Sequence, residues 1–260
     1  DDMLAKLGAI SSKLKEIEAA FNATQNELNS FLLTIPNIPH ESVPNGKNED
    51  DNIVIRKFSD IPKHSFELQD HVVLGESLSL FDFKRAAKMS GSRFVVMYSE
   101  LAQLQRALIK FMLDIHTTEH KYTEVYTPLL VNEDSLYGTG ALPKMGEDLF
   151  QISGEKDLFL IPTAEVPLTN LHRDEIIDFS QLPLKYVAHT PCFRSEAGSY
   201  GKDTKGIIRQ HQFEKVELFQ ICTPEKSYEA LDNLLNNAEE ILKRLNLPYQ
   251  VIQLCGGDLS

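Results

Sequence analysis

Two arginines, two glutamates and a phenylalanine are closely spaced in the second half of the chain. Arg194 and Glu196 end one apolar segment, and Arg209 and Phe213 open the next, which continues to Glu217. If these segments pair as a hairpin, guanidinium groups, carboxylates and an aromatic ring gather around it. Arginine binds two phosphate oxygens at once, an aromatic ring stacks on a base, and a carboxylate accepts from an exocyclic amine. These residue types suit a nucleotide site, but by composition alone a hairpin with surface ion pairs is favoured, because Arg–Glu pairs are common on strands.

The order of these residues resembles a known family. Residues 190–198 (TPCFRSEAG) and 203–217 (DTKGIIRQHQFEKVE) resemble motif 2 of the class II aminoacyl-tRNA synthetases, in the version of the seryl-tRNA synthetases. Residues 161–167 (IPTAEVP) resemble that family's serine-binding segment, and residues 138–144 (GTGALPK) resemble the loop before it. The resemblance extends over essentially the whole chain.

The resemblance implies a role for each matching residue. Arg194, the expected catalytic residue, would hold the α-phosphate of ATP and the carboxylate of serine. Glu196 would contact adenine, Phe213 would stack on it, and Arg209 would bind the phosphate tail. The further implied contacts are to ATP from Ser195 and to serine from Thr163, Ala164, Glu165 and Glu217. Mg²⁺ is implied as well, with its ligands expected beyond Ser260.

The residues also suit a serine pocket on chemical grounds alone. Alanine can be rejected only if the site forms a hydrogen bond to the serine hydroxyl, because alanine leaves that polar group of the site unpaired. Sites of this kind discriminate by roughly 10⁴-fold. Glu217 lies among apolar residues, where an unpaired carboxylate is costly, so a cation such as a ligand ammonium is expected beside it. Thr163 could instead cap a helix that begins near Ala164. His211 is expected to stabilise the loop and not to act as a general base, since the substrate carboxylate itself attacks.

Composition limits the class of protein. The chain has 260 residues, 42% of them hydrophobic and 25% charged, which is enough to bury a full-sized core. The net charge is −12, so any polyanion must be met by a local basic patch. Three scattered cysteines form neither a CxxC pair nor a metal-ligand spacing, which favours a reduced cytoplasmic protein with no metal site in this chain. No long uncharged apolar run occurs, so neither a membrane span nor a signal peptide is expected.

The first 34 residues carry a heptad repeat. Eight of nine a and d positions are apolar, which favours a coiled coil over a helix lying on the body of the protein. The partner helix would come from another chain or from a segment that precedes this one. The a and d positions are Met3, Leu7, Ile10, Leu14, Ile17, Phe21, Thr24, Leu28 and Phe31. The repeat and the residues after it resemble one half of the family's tRNA-binding arm.

The remaining pattern predicts an α+β fold. Residues 35–52 hold three prolines and an acidic run, so they are expected to be an extended linker between the arm helix at 1–34 and a catalytic core at 53–260. Helices are predicted over residues 80–90 and 227–245, and strands over 93–97, 149–152, 158–161, 184–193 and 213–222, with a turn at 154–156. Adjacent hairpins with helices between them indicate an antiparallel sheet flanked by helices. A helix over 99–119 and a strand that stops at Pro128 resemble motif 1, which builds the family's homodimer interface. Residues 197–206 are expected to form a basic loop suited to a phosphate chain or an RNA end.

The resemblance implies a serine–tRNA ligase that forms seryl-adenylate and charges tRNA(Ser), with tRNA(Sec) an open possibility. A ligase that loads an amino acid onto a carrier protein and a non-catalytic RNA-binding paralogue are the alternatives. Neither motif 3 nor the first arm helix of the family is found in these 260 residues. A fragment is therefore expected, which could be inactive alone.

Overall fold

The structure, a computed structural model, describes residues 2–154, 157–197 and 205–259. Most of the basic loop expected at 197–206 and two residues of the turn expected at 154–156 lie outside the described residues. The chain forms two compact units. One comprises Asp1–Asn52 with Leu254–Ser260, and the other comprises Ile53–Gln253.

The first unit begins with the long helix α1 (Asp2–Leu32). All eight apolar residues of its heptad seam are exposed, from Leu28 at 48% to Met3 at 79%, so no described residue covers the seam. Near the other end of this unit, the side chain of Asn52 donates to Asp258 and accepts from the main-chain N–H of Cys255. A β-carbon on Gly46 would lie 2.6 Å from the Cys255 sulfur, so only glycine permits this approach. Residues 44–52 are thereby held against 255–258.

The second unit alternates short strands with helices. Its helices are α2 (His71–Ser77), α3 (Phe83–Ser90), α4 (Ser99–Thr118), α5 (Glu133–Tyr137), α6 (Glu165–Asn170) and α7 (Ser227–Arg244). Its strands are β1 (Ile53–Phe58), β2 (Phe81–Asp82), β3 (Val96–Met97), β4 (Thr123–Glu124), β5 (Leu130–Val131), β6 (Gln151–Ile152), β7 (Leu158–Leu160), β8 (Leu184–Phe193), β9 (Gln212–Ile221) and β10 (Tyr249–Gln253). No helix in the described part of the chain is long and apolar enough to cross a membrane.

The predicted α+β class with antiparallel pairing is confirmed. Strands β8 and β9 form a ten-residue antiparallel pair whose register runs from Leu184 opposite Ile221 to Phe193 opposite Gln212. Antiparallel pairs also join β1 to β10, β2 to β3, and β7 to both β5 and β6. The exception is the short β4, which runs parallel to β8. The β8–β9 pair is the longest strand pair of the unit, and the candidate residues of these two strands stand at its open end and along one face.

Local rules explain why β8 is fixed in place. Its residues alternate between two faces, and Ala188, Thr190 and Cys192 share the face that is buried. Ala188 packs against Ala164 and Leu168 at the start and middle of α6. Because both small alanines are fully buried, α6 lies close beneath the sheet and the loop before it, which contains Thr163, is held beside the hairpin.

Two short elements differ from the sequence prediction. The helix predicted over residues 80–90 begins only at Phe83, because Asp82 pairs with β3 and caps α3 by accepting from the Arg85 N–H. The strand predicted over 93–97 is limited to β3, because Arg93 has a positive φ of 61° and its carbonyl accepts from the His211 N–H. The pattern gave no indication of α2, which spans only seven residues.

Candidate functional site

The main chain of Arg194 is held by His211 across the open end of the hairpin. The Arg194 N–H donates to the His211 carbonyl at 3.0 Å. The His211 Nδ1 lies 3.0 Å from the Arg194 carbonyl and must donate to it, because a carbonyl oxygen only accepts. Phe94 and Phe150 flank the imidazole, with ring centroids at 5.4 and 5.8 Å. This fixes both the tautomer and the orientation of His211, and with them the backbone of Arg194.

The Arg194 side chain lies on the same face of the sheet as Phe213. Its Nε donates to the Pro162 carbonyl at 3.3 Å, and its guanidinium carbon is 5.7 Å from the centroid of the Phe213 ring. Neither terminal nitrogen has a hydrogen-bond partner among the described residues. The Nε side of the guanidinium is therefore anchored, and the N–H groups of its two terminal nitrogens remain available to bind an anion. The guanidinium and the ring therefore lie together on one face of the hairpin.

A second cluster surrounds Thr163. Its hydroxyl donates to the Glu217 carboxylate at 2.8 Å, and accepts from the Lys215 ammonium at 2.7 Å and from the Glu165 N–H at 3.2 Å. Lys215 also forms an ion pair with Glu217. Since Lys215 and Glu217 are two residues apart on β9, they point to the same face as Phe213. The cation that the sequence argument required beside Glu217 is present in the protein itself.

Glu196 and Arg209 bind each other beside a cavity. The Arg209 guanidinium donates to the Glu196 carboxylate at 3.0 Å, and the Arg93 guanidinium donates to the Glu196 carbonyl at 3.3 Å. The cavity, about 310 Å³, is lined by Glu196, Ile207, Ile208, Arg209, Gln210 and Phe213. This volume lies within the roughly 300–1,000 Å³ of small-molecule sites.

A larger cavity of about 520 Å³ lies between α4 and β9 and is mainly apolar. We assign the ligand to the smaller one because it holds the charged groups.

Three further predicted residues differ in whether their side chains are available to a ligand. The Ser195 hydroxyl donates to the Glu147 carbonyl, and the Ser195 N–H donates to the Asp148 carbonyl at 2.9 Å. Ala164 is completely buried in the core below the site. Glu165 is exposed, and its carboxylate has no hydrogen-bond partner in the described part of the chain. Of these three, Glu165 alone has a side chain that is free for a ligand.

Sequence reasoning missed Lys215 and Gln210. The period of two along a strand could have placed Lys215 beside Glu217. Gln210 gave no signal, yet its side chain is buried and its Nε2 has no partner among the described residues, while the residue lines the cavity. A buried donor without an acceptor is costly, which suggests an acceptor on a ligand. Burial raises the pKa of the nearby Cys192 thiol, so this cysteine does not supply a thiolate.

These two clusters meet at Arg194. Its side chain is anchored on Pro162, the neighbour of Thr163, and it lies over the ring of Phe213, which lines the cavity. An anion held by the free end of Arg194 would therefore have a carboxylate–ammonium–hydroxyl cluster on one side and an aromatic face on the other. Such an arrangement can orient two ligands so that both reach a single guanidinium.

Similar proteins have this arrangement of elements. Residues 149–260 match the family model described as tRNA synthetase class II core domain (G, H, P, S and T). The chain is 57% identical over 259 residues to the serine–tRNA ligase of Hahella chejuensis (strain KCTC 2396), a match that covers 100% of this chain and 60% of that protein. The chain thus spans less than two thirds of that relative.

Solved structures show the same fold. The seryl-tRNA synthetase from Pyrococcus horikoshii complexed with ATP matches with a TM-score of 0.90 at 40% identity, over 100% of this chain and 62% of that one. The cytoplasmic serine–tRNA ligase from Naegleria fowleri in complex with AMP matches with a TM-score of 0.86 at 31% identity, over 95% of this chain and 58% of that one. Residues 149–260 therefore match a class II tRNA synthetase core domain, and the chain is similar along its whole length to serine–tRNA ligases, of which it spans about 60%.

Proposed function

We propose that the protein to which this chain belongs is a serine–tRNA ligase, which activates serine with ATP and transfers the seryl group to tRNA(Ser). The observation that supports this most directly is the position of Arg194 between the Thr163 cluster and the Phe213 ring. ATP and AMP are bound by the two solved relatives. We propose ATP as the ligand of the cavity beside Phe213.

In the first step, a carboxylate oxygen of serine attacks the α-phosphorus of ATP. The bond from that phosphorus to its bridging oxygen breaks, and pyrophosphate leaves with the electron pair. The free end of Arg194 stabilises the negative charge on the α-phosphate and orients the attacking carboxylate. Phe213 stacks on adenine, and Arg209 binds the phosphate tail after it shares or releases Glu196. No general base is needed, which agrees with the structural use of His211.

The Thr163 cluster is proposed to select serine. Glu217 binds the substrate ammonium, Glu165 adds a second carboxylate, and Thr163 and Lys215 bind the remaining polar atoms. Alanine would leave one of these polar groups without a partner, and this is the discrimination that a hydrogen-bonding pocket provides. Ala164 is proposed to act through its backbone, and Ser195 through its support of the hairpin end, because neither side chain is free.

In the second step, a hydroxyl of the 3′-terminal ribose of tRNA attacks the seryl carbonyl, and AMP leaves. We propose tRNA(Ser) as the acceptor, with tRNA(Sec) as a possible second one, and a cytoplasmic homodimer as the working form. The described residues contain no group of three or more His, Cys, Asp or Glu side chains that could hold a metal. The resemblance implies that Mg²⁺ offsets the charge of the phosphates and that its protein ligands lie beyond Ser260.

Serine-dependent exchange of pyrophosphate into ATP by the intact protein tests the proposal. Arg194→Lys keeps the charge but loses the fork, and we expect the exchange rate to fall at least about 100-fold. Arg244→Gln is the matched control, because Arg244 pairs with Glu119 and Glu240 on the surface. Circular dichroism should show that both variants fold.

Three results would contradict parts of the proposal. Undiminished exchange in Arg194→Lys would remove the assigned role of this residue. Exchange without transfer to tRNA would favour a carrier-protein ligase. The absence of exchange with any amino acid would favour a non-catalytic RNA-binding protein.

A further inference from the structure

The segment that leads into Arg209 is attached to the beginning of α2. The Lys205 ammonium pairs with Oδ2 of Asp70, and the Ile207 N–H donates to Nε2 of His71 at 3.0 Å. We name these four residues, with Gly206, the α2 anchor. Neither Asp70 nor His71 belongs to the site described above, and the family resemblance gave no role to either.

Asp70 makes two different contacts with its two oxygens. Its Oδ1 accepts from the Val72 and Val73 N–H groups and so caps α2. Its Oδ2 binds Lys205. This hydrogen bond lowers the pKa of Asp70 most, and the hydrogen bonds of the helix cap lower it further. The carboxylate is thus ionised at neutral pH and joins the helix to the segment.

Gly206 makes the close approach possible. Its φ is +71°, and a β-carbon there would lie 2.0 Å from Nε2 of His71. Any side chain at this position would displace the imidazole and break the bond that His71 accepts from Ile207. The imidazole is itself placed by Phe81, against which it packs edge-on with a centroid distance of 6.4 Å.

The anchored residues continue directly into the wall of the cavity. Ile207, Ile208 and Arg209 line it together with Glu196 and Phe213. Only one residue separates the His71–Ile207 bond from Arg209, which pairs with Glu196. A shift of this segment would therefore move the cationic wall of the cavity relative to the aromatic one, which is fixed on β9.

We propose that Asp70 and His71 are positioning residues, which hold the segment 205–209 so that Arg209 and Ile207 form the cavity for the nucleotide phosphates. The inference rests on the proposed function for its ligand, ATP. It predicts a specific kinetic effect: loss of the anchor weakens ATP binding, and leaves the binding of serine and the rate at saturating ATP nearly unchanged.

Two substitutions of His71 separate this role from simple packing. His71→Phe keeps a ring against Phe81 but has no acceptor, whereas His71→Gln loses the ring but places an amide oxygen near the position of Nε2. For the intact protein, we expect His71→Phe to raise the KM for ATP about tenfold in pyrophosphate exchange, with kcat within about twofold. His71→Gln should stay within about threefold of the wild-type KM. A packing role predicts the reverse order.

Asp70→Asn tests the ion pair, because asparagine still caps the helix through its oxygen. We expect a rise of about threefold in the KM for ATP. Asp82→Asn is the matched control, since Asp82 likewise caps a helix and pairs with an arginine, Arg85, but does not contact the segment. It should leave the KM for ATP unchanged.

Hydrogen exchange at the Ile207 amide gives a readout that does not depend on activity. His71→Phe should accelerate this exchange about tenfold, and His71→Gln should not. Unchanged exchange at Ile207 in His71→Phe would overturn the anchor. Faster exchange with an unchanged KM for ATP would overturn its role in positioning the cavity. If the wild type shows no serine-dependent pyrophosphate exchange, the proposed function fails. The Kd of ATP, measured by calorimetry in the same variants, then decides the inference. A wild type that does not bind ATP would overturn the inference.

Discussion

At the scale of single residues, His211 is proposed to support the candidate site without transferring a proton. It binds both the N–H and the carbonyl of Arg194, and two phenylalanine rings fix its plane. The Arg194 guanidinium can stabilise a transition state only if the main chain that carries it is held in place, because an error of about 1 Å in its position can lower the rate greatly. His211 therefore acts on the chemistry through the backbone of Arg194.

Replacement of His211 should reveal this role. Phenylalanine keeps a ring against Phe94 and Phe150 but removes the donor, whereas asparagine places an amide N–H near the position of Nδ1. We expect His211→Phe to lower kcat for pyrophosphate exchange about tenfold or more, and His211→Asn to retain several times the activity of His211→Phe. Equal activity in the two variants would contradict the role of the donated bond.

Glu217 is the residue on which the choice of amino acid should depend. Its carboxylate already binds Thr163 and Lys215, so a substrate ammonium enters a prepared network. We expect Glu217→Gln to raise the KM for serine about 10- to 100-fold, because the amide loses a charged hydrogen bond, with the KM for ATP within about twofold. Glu214→Gln is the control, since Glu214 lies on the opposite face of the same strand and binds His189. A similar serine KM in both variants would contradict the assignment.

At the scale of elements, a buried histidine near the end of α4 contacts a partly buried histidine that follows the helix. His116 is 3% exposed, and its Nδ1 lies 2.9 Å from Nδ1 of His120. Burial, and then the neighbouring His120, lower the pKa of His116 from 6.5 to about 4. The Tyr122 ring lies beside it, and Lys185 binds the His120 carbonyl. The two Nδ1 atoms can share only one proton, so at least one imidazole must be neutral on this nitrogen.

This pair should make the protein sensitive to mild acid. The unfolded chain binds a proton at His116 below pH 6.5, and the folded one only near pH 4, so stability is lost as the pH falls between these values. From pH 7 to pH 5 we expect the free energy of unfolding to fall by roughly 2 kcal/mol through His116. Urea titrations at both pH values should show this loss, and His116→Phe should remove most of it. Replacement of the exposed His64 by phenylalanine is the control; an unaltered loss in His116→Phe would contradict the assignment.

The β8–β9 hairpin explains why the site residues lie in register. Its antiparallel pairing places Cys192 opposite Phe213, and the same face continues to Lys215 and Glu217. A shift of one residue would turn all of these side chains to the other face, where Glu214 binds His189. The small buried Ala188 of β8 opposes such a shift, since it packs closely against Ala164 and Leu168.

At the scale of the whole molecule, two exposed apolar residues lie in the part that resembles motif 1. Leu104 on α4 is 53% exposed, and Tyr126 after β4 is 92% exposed. Both would be covered in the proposed homodimer. We expect the double variant Leu104→Glu, Tyr126→Glu to shift sedimentation of the intact protein from dimer to monomer, because it buries two charges in the interface. Ile176→Glu alters an exposed residue elsewhere and should not change the mass. A monomeric wild type would contradict the proposed dimer.

The apolar seam of α1 makes a second prediction at this scale. Leu14 and Phe21 are exposed at successive a positions, and a heptad of this length needs a partner helix. If this helix belongs to a tRNA-binding arm, Leu14→Glu with Phe21→Glu should lower kcat/KM for tRNA charging about tenfold or more and leave pyrophosphate exchange within about twofold. A parallel loss of both activities would show instead that the seam supports the catalytic core.

The sequence by itself determined the long elements and indicated the candidate ligand-binding groups. Helices α4 and α7 and strands β8 and β9 end within one residue of their predicted limits, because apolar periodicity is strong over ten or more residues. Arg194, Phe213 and Glu217 could be chosen because few residue types bind phosphate, base and ammonium. Strands of two residues and the seven-residue α2 have too little periodicity to be predicted.

Only the tertiary structure decided which groups satisfy one another. It gave Glu217 the ammonium of Lys215, held Ser195 to Glu147, and brought His71 to Ile207 across more than a hundred residues. These contacts depend on how elements that are far apart in the sequence pack together, and the local sequence does not specify that packing. A local pattern specifies the chemistry that a side chain can perform, whereas long-range packing selects its partner.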